Sequence, residues 1–205
     1  MRKISEIFIN GVCLEKILED HEKWLNGEDS GERANLNGAD LSDTNLIGTI
    51  LMDADLTGTD LSGANLSGAD LSGADLSEAN LSEANLNDAD LKCANLMDAY
   101  LRFTNLSNAN LSSANLINTN LRGANLSYTD LSLADLRDAY LGFADLSCAD
   151  LGFADLNCAD LSGADLTNAD LSYADLSYAD LEDTNLKGAN LIGADLSDTD
   201  LNDID

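Results

Sequence analysis

The sequence predicts an all-β solenoid, a chain wound into stacked coils as a parallel β-helix, with a short helical segment at its N-terminal end. Three observations predict it. Leucine recurs at every fifth residue from Leu36 to Leu201 without a miss, thirty-four times in all. The residue two before each of these leucines is always Ala or Thr, and the residue just before is Asp or Asn except at Ile50, Tyr100 and Tyr140. Proline is absent, as suits stacked strands that need every N–H donor.

A period of five excludes the simpler elements. A helix turns about 100° per residue, so leucines five apart would wander round the cylinder and form no stripe. A flat strand alternates faces with period two, and an odd period would point successive leucines to opposite sides. One corner per pentad restores the pattern, because Leu and the Ala or Thr two before it then face inward every time. A chain that always turns the same way stacks on itself, each coil pairing with the next at about 4.8 Å. Such strict periodicity outweighs the disorder prior of a chain with few aromatics and a net charge of −28.

The phrase Ala64-Asn65-Leu66-Ser67-Gly68, repeated through the chain, resembles the pentapeptide-repeat proteins. That resemblance covers about four-fifths of the chain and implies a right-handed quadrilateral β-helix, four pentads to a coil. Residues 34–205 would then form about eight coils, a rod roughly 41 Å long at the strand spacing. We number its sides by their leucines: side one from Leu36, two from Leu41, three from Leu46, four from Leu51, each column continuing every twenty residues.

Residues 1–33 stand outside the repeat. Arg2 and Lys3 precede an apolar stretch, but Glu6 and Asn10 interrupt it, which argues against a secretory signal. Leu14, Ile17, Leu18 and Leu25 fall at helical spacing, with Glu15, Glu19, Glu22 and Lys23 on the other side. The spacing predicts an amphipathic helix over Leu14–Leu25, ending near Gly27, whose apolar face and Trp24 cover the open first coil. His21, the one histidine, reads as a solvated helix residue. Of the four cysteines, Cys93, Cys148 and Cys158 fall at outward positions on separated parts of the rod and Cys13 lies in the cap. Unpaired thiols point to a reducing cytoplasm.

Nothing in the chain reads as an active site. A filled rod has no concavity, the lone histidine and the outward serines form no nucleophile–base pair, and no metal or cofactor motif is present. The expectation is a non-enzymatic scaffold or protein-binding module that touches neither membrane nor nucleic acid directly, since a strongly acidic chain is repelled by phosphates.

Its outer face is uneven. Residues 34–83 carry a net −9, residues 84–133 only −1, and residues 134–183 a net −11. The near-neutral waist holds Tyr100, Arg102 and Phe103, with Arg122 one coil on, and Tyr140 and Phe143 two coils on along side two. Exposed aromatics beside arginines mark a candidate contact surface. Local duplication is the competing and simpler account, since Leu141–Asp150 is nearly repeated as Leu151–Asp160. On side four, Leu133, Phe153 and Tyr173 share one column.

The resemblance carries an alternative function, mimicry of DNA toward a DNA-handling enzyme such as DNA gyrase. Residues 34–203 carry −24, about 0.6 charge per Å of rod, against one per about 1.7 Å in duplex DNA. The acids placed for it are Asp135, Asp155, Asp160, Asp175 and Asp180, on sides one and two. Like charges one coil apart are expected to raise the aspartate pKa values and favour mildly acidic pH. Leu186, Leu191, Leu196, Leu201 and Ile204 would line an open C-terminal coil, through which two copies would meet end to end as a homodimer.

Overall fold

The computed structural model describes residues 1–200; Leu201 and Ile204 lie outside them. From Asn35 onward every fifth residue forms a parallel bridge with the residue twenty further on, Asn35 with Asp55 through to Asp175 with Asp195. Four pentads therefore make one coil. The rungs are single-residue bridges rather than long strands, because each side contributes only about three extended residues before the chain turns.

The five N–H groups of a pentad all have defined destinations. Leu36 donates to the Asp55 carbonyl of the next coil at 2.7 Å, Gly38 donates to the Thr57 carbonyl of the same coil, and Asp55 donates back to Ala34. Ala39 closes the corner by donating to the Leu36 carbonyl at 2.9 Å. The fifth donor, on the residue after Leu, goes to a side chain: the Asn37 N–H bonds Asn35 Oδ1 at 3.1 Å. The same pattern repeats along the rod, so nearly every backbone donor has a partner within the protein, with the residues after Leu51, Leu101 and Leu141 among the exceptions.

Each corner needs a left-handed residue. Every position two after a leucine, from Gly38 to Asp198, has a positive φ of 55–76°, and most are not glycine. Asp, Asn, Gly, Ser, Glu, Cys, Leu and aromatics occupy these corners; no β-branched residue does, since its Cβ substituents clash most in that conformation.

The core is the leucine columns. Leu36 to Leu176 are at most 1 % exposed, and the alanines between them are equally closed off apart from Ala39 beside the first coil. Burial of each leucine contributes about 1.5–3 kcal/mol. Threonine replaces alanine where its hydroxyl finds a carbonyl in the coil before. Thr59, Thr104, Thr119 and Thr129 donate to Leu36, Leu81, Leu96 and Leu106 at 2.7–3.0 Å. Thr49 has no earlier pentad below it and bonds Leu46 in its own corner.

At the N-terminal end a 3-10 turn, Ile4–Glu6, leads to a hairpin of β1 (Phe8–Ile9) and β2 (Val12–Cys13), then to α1 (Leu14–Leu25). Asn10 and Gly11, both at positive φ, make the two-residue hairpin turn. α1 ends in a Schellman motif: Gly27 N–H bonds the Trp24 carbonyl and Glu28 N–H bonds Lys23. The chain then passes so close to α1 that a Cβ on Gly31 would lie 2.1 Å from the Trp24 nitrogen. Ile7 and Leu14 join the same core as the coil leucines, with Ile17 and Leu18 packed against it. Arg2 supplies the rung beneath Thr44, donating to Asp43 and accepting from Asn45.

His21 corrects the sequence reading. It is fully buried, not solvated. Its Nδ1 accepts the Ala34 N–H at 3.1 Å, a donor that has no preceding pentad to close a corner with. Trp24 lies flat against it, ring centroids 5.6 Å apart, and stays partly exposed. Burial pushes the imidazole pKa down; the Met52 carbonyl opposes this but lies outside hydrogen-bond geometry to Nε2, which has no partner.

Candidate interaction surfaces

The Asp or Asn before each leucine has a local structural task. Its Oδ1 accepts the N–H two residues on at every corner from Asn37 to Ser197, except after Ile50, Tyr100 and Tyr140. A serine at the accepting corner often adds its hydroxyl, as Ser162 does to Asp160 Oδ1 at 2.6 Å. Asn serves as well as Asp, because both present the same oxygen. Its amide can also bond up the column, as Asn85 does to Asn65 at 3.2 Å and Asn105 to Asn85 at 3.1 Å.

At several corner aspartates this geometry reverses the expected rise in pKa. The Ser42 hydroxyl and N–H hold Asp40 below the usual carboxylate range, the Arg137 guanidinium does so for Asp135, and the Ser172 N–H for Asp170. The Ser197 hydroxyl and N–H do the same for Asp195. At these four positions donors aimed at the charged form outweigh the repulsion between rungs one coil apart.

The acids placed for DNA mimicry fall in two columns, Asp135, Asp155 and Asp175 on side one and Asp160 and Asp180 on side two. They are not uniformly free. Arg137 grips Asp135 with two hydrogen bonds, at 2.8 and 2.7 Å, and reaches Asp155 Oδ2 at 3.6 Å. Sequence spacing had located the acids, but not the cation lying across two of them.

Side two brings the predicted aromatic and arginine residues together. Tyr100 and Tyr140 share one column, with Asn120 on the rung between them. Phe103 and Phe143 share the corner column, both left-handed and about 60 % exposed. Gly123 lies between them under the Phe103 ring, where a Cβ would come within 2.7 Å of Phe103 Cε1. The Arg102 guanidinium sits 5.4 Å from the Phe103 ring centroid and Arg122 sits 4.7 Å from that of Phe143. Gly142 leaves the space for Arg122, since a Cβ there would be 3.1 Å from Nη1. The guanidiniums thus lie over aromatic faces, in a row along one side.

Tyr100 and Tyr140 also break the local rule. With no Oδ1 at these positions, the N–H groups of Arg102 and Gly142 lack the acceptor that nearly every other corner has. Such a bond is worth about 1 kcal/mol. Local rules are broken where another demand applies, which makes side two the leading candidate contact surface. Among the described residues no His, Cys, Asp and Glu cluster could hold a metal, all four cysteines are free thiols, and no helix is long and apolar enough to cross a membrane.

The candidate C-terminal end is described as far as residue 200. Leu186, Leu191 and Leu196 are partly exposed, unlike the leucines of the coils before them.

Comparison with known proteins bears on these surfaces. None of the curated proteins matches. Among solved structures, the chain is similar to HetL, a pentapeptide repeat protein involved in heterocyst differentiation regulation from the cyanobacterium Nostoc sp. strain PCC 7120. Identity is 39 % over 88 % of this chain and 92 % of HetL, with a TM-score of 0.59. QnrB1, a plasmid-mediated fluoroquinolone resistance protein, shares the fold at 22 % identity over 80 % of this chain and 86 % of QnrB1, with a TM-score of 0.57. The family of pentapeptide repeats matches in overlapping blocks, 32–68, 64–102, 94–132, 104–142, 134–172 and 164–203. With its repeats matched from one end of the rod to the other, the chain belongs to the pentapeptide repeat family.

Proposed function

We propose that this chain is a non-enzymatic, protein-binding rod of the cytoplasm whose contact surface is the aromatic and arginine row on side two. In this reading the rod is a right-handed quadrilateral of about eight coils from residue 34 onward, and residues 1–33 close its N-terminal end. The observation that carries the reading is the pairing of rule-breaking Tyr100 and Tyr140 with stacked Arg102–Phe103 and Arg122–Phe143 on one face. Exposed aromatics and arginines are the residues that supply most binding energy at protein interfaces. A regulatory role also agrees with the similarity to HetL, a protein involved in differentiation regulation. The test replaces Tyr100, Phe103, Tyr140 and Phe143 by Asn, which suits both the corner and the column position. Proteins retained by the immobilised wild-type rod should be lost with the variant; an unchanged set would overturn the reading.

A second reading rests on charge. The columns through Asp135, Asp155 and Asp175 and through Asp160 and Asp180 repeat acid at every coil, about 4.8 Å apart, and could present a DNA-like face to an enzyme such as DNA gyrase. Changing these five to Asn keeps every corner bond. In a gyrase supercoiling assay the wild-type chain, but not the five-fold variant, should then alter activity. Equal effects from both would exclude charge mimicry.

A further inference from the structure

Side four carries a surface built on a different plan from the side-two row, and it stands or falls separately. Its corner column contains Leu133, Phe153 and Tyr173, one coil apart and 62, 60 and 57 % exposed. The Phe153 and Tyr173 rings stack with centroids 5.0 Å apart and planes 12° from parallel. The ridge continues over Gly193, where a Cβ would meet Tyr173 Cδ1 at 2.6 Å, beside the exposed Ile192.

Acidic columns run along both flanks. Asp130, Asp150 and Asp170 stand three residues before the ridge positions, and Asp135, Asp155 and Asp175 two after them. In all six, Oδ1 is taken by the corner N–H at 2.9–3.3 Å. That leaves Oδ2 for other partners at all of them except Asp135, where Arg137 already holds it. Arg137 displays what Oδ2 accepts, since its guanidinium lies between rungs, 2.7 Å from Asp135 Oδ2 and 3.6 Å from Asp155 Oδ2. An apolar ridge between two acidic rails is complementary to an apolar stripe between two basic rails.

We propose that side four docks a cationic amphipathic helix of a partner protein, laid along the rod axis. Its apolar stripe would rest on Leu133, Phe153 and Tyr173, and its Arg or Lys would bridge Asp130, Asp150 and Asp170 on one flank and Asp155 and Asp175 on the other, where Arg137 already spans Asp135 and Asp155. The dimensions agree. A helix advances about 5.4 Å per turn and the coils repeat at about 4.8 Å, so over three ridge positions the two stay in step to within about an ångström. An unstructured basic segment would engage the rails but leave the ridge uncovered.

The probe is a synthetic, fluorescently labelled helical peptide with a leucine stripe flanked by arginines, titrated at about 0.15 M salt. A scrambled peptide of equal composition but no stripe serves as the comparison. The full chain should bind the striped peptide saturably and one to one, and the scrambled peptide at least about tenfold more weakly. Leu133→Asn, Phe153→Asn and Tyr173→Asn combined keep every charge and suit the left-handed corner. They should also cost at least about tenfold, as should Asp150→Asn, Asp155→Asn, Asp170→Asn and Asp175→Asn combined. Phe103→Asn with Phe143→Asn should bind as the wild type does. Circular dichroism melting checks that each variant folds. Wild-type affinity in the ridge variant would reduce the attraction to bulk charge and overturn the proposal, as would loss of binding in the side-two variant or no saturable binding at all. Dimerisation of the chain alone that the ridge variant abolishes would assign the ridge to a second copy and overturn it equally.

Discussion

Arg122 lies with its guanidinium carbon 4.7 Å from the ring centroid of Phe143, one coil further along side two, in space that Gly142 leaves open. This stacking orders a long cationic side chain on the rod surface before any partner arrives. Exposed cation–π contacts contribute only about 0.5–1 kcal/mol. Phe143→Asn should therefore leave the melting temperature almost unchanged while freeing Arg122 and weakening partner capture. A large loss of stability would instead make Phe143 a structural residue.

The core makes a stronger demand. Leu106 is fully buried in the middle of the rod, so Leu106→Ala should cost about 2–5 kcal/mol and Leu106→Asp should abolish cooperative folding. Thermal melts monitored by circular dichroism measure both. Wild-type melting of the Asp variant would refute the inward assignment of the leucines.

The corner bond separates amide from methyl. Asp160 accepts the Ser162 N–H at 3.0 Å and its hydroxyl at 2.6 Å. Asp160→Asn should be nearly neutral, whereas Asp160→Ala should destabilise by about 1 kcal/mol. Equal denaturant midpoints for the two variants would show that the oxygen does not matter there.

The pH dependence follows from His21 and the corner aspartates. Burial holds the His21 pKa below its ordinary value of 6.5, so the folded chain binds fewer protons there than the unfolded one. That stability is complete above pH 6.5 and is lost as pH falls through the lower, folded value. Asp40, Asp135, Asp170 and Asp195, held below 3.8, add a further loss at more acidic pH. Melting temperature should drop between about pH 7 and pH 5, and the drop should shrink in His21→Gln, which keeps an acceptor for Ala34. A wild-type melting temperature that holds steady or rises over that range would contradict it.

The partly exposed leucines Leu186, Leu191 and Leu196 lead to a last expectation, an end-to-end homodimer at the C-terminal coil. Asp195, Asp198 and Asp200 oppose it by repulsion, so association should tighten with added salt. Light scattering that finds a monomer at high protein concentration and high salt would dismiss it.

The leucine period made the coil legible, and the i, i+3 and i+4 spacing from Leu14 to Leu25 marked the place of α1. His21 was misread although it falls on the stripe of Leu14, Leu18 and Leu25. Its position was visible, but an imidazole was taken as polar when it serves as the acceptor that the first alanine lacks. The aspartates were read as surface charge because a strand-period argument locates side chains without showing which backbone donors they meet. Arg137 was counted only as one positive charge, since nothing in its spacing reveals that it spans two coils. The aromatic and arginine row was legible as columns; the rings and guanidiniums stack because Gly123 and Gly142 lie between them, a fact that needs coordinates.

One side of the coil is five residues, so ten residues are half a revolution. The near-identical blocks Leu141–Asp150 and Leu151–Asp160 are offset by that amount. Repeating the block did not extend the surface around Phe143; it set Phe153 facing the opposite way, and Cys158 opposite Cys148. In this rod a copied segment of ten residues gives a molecule two faces, while one of twenty would lengthen a single face. The modulus of an insertion, more than its content, decides whether the protein gains a new direction of contact or a longer one.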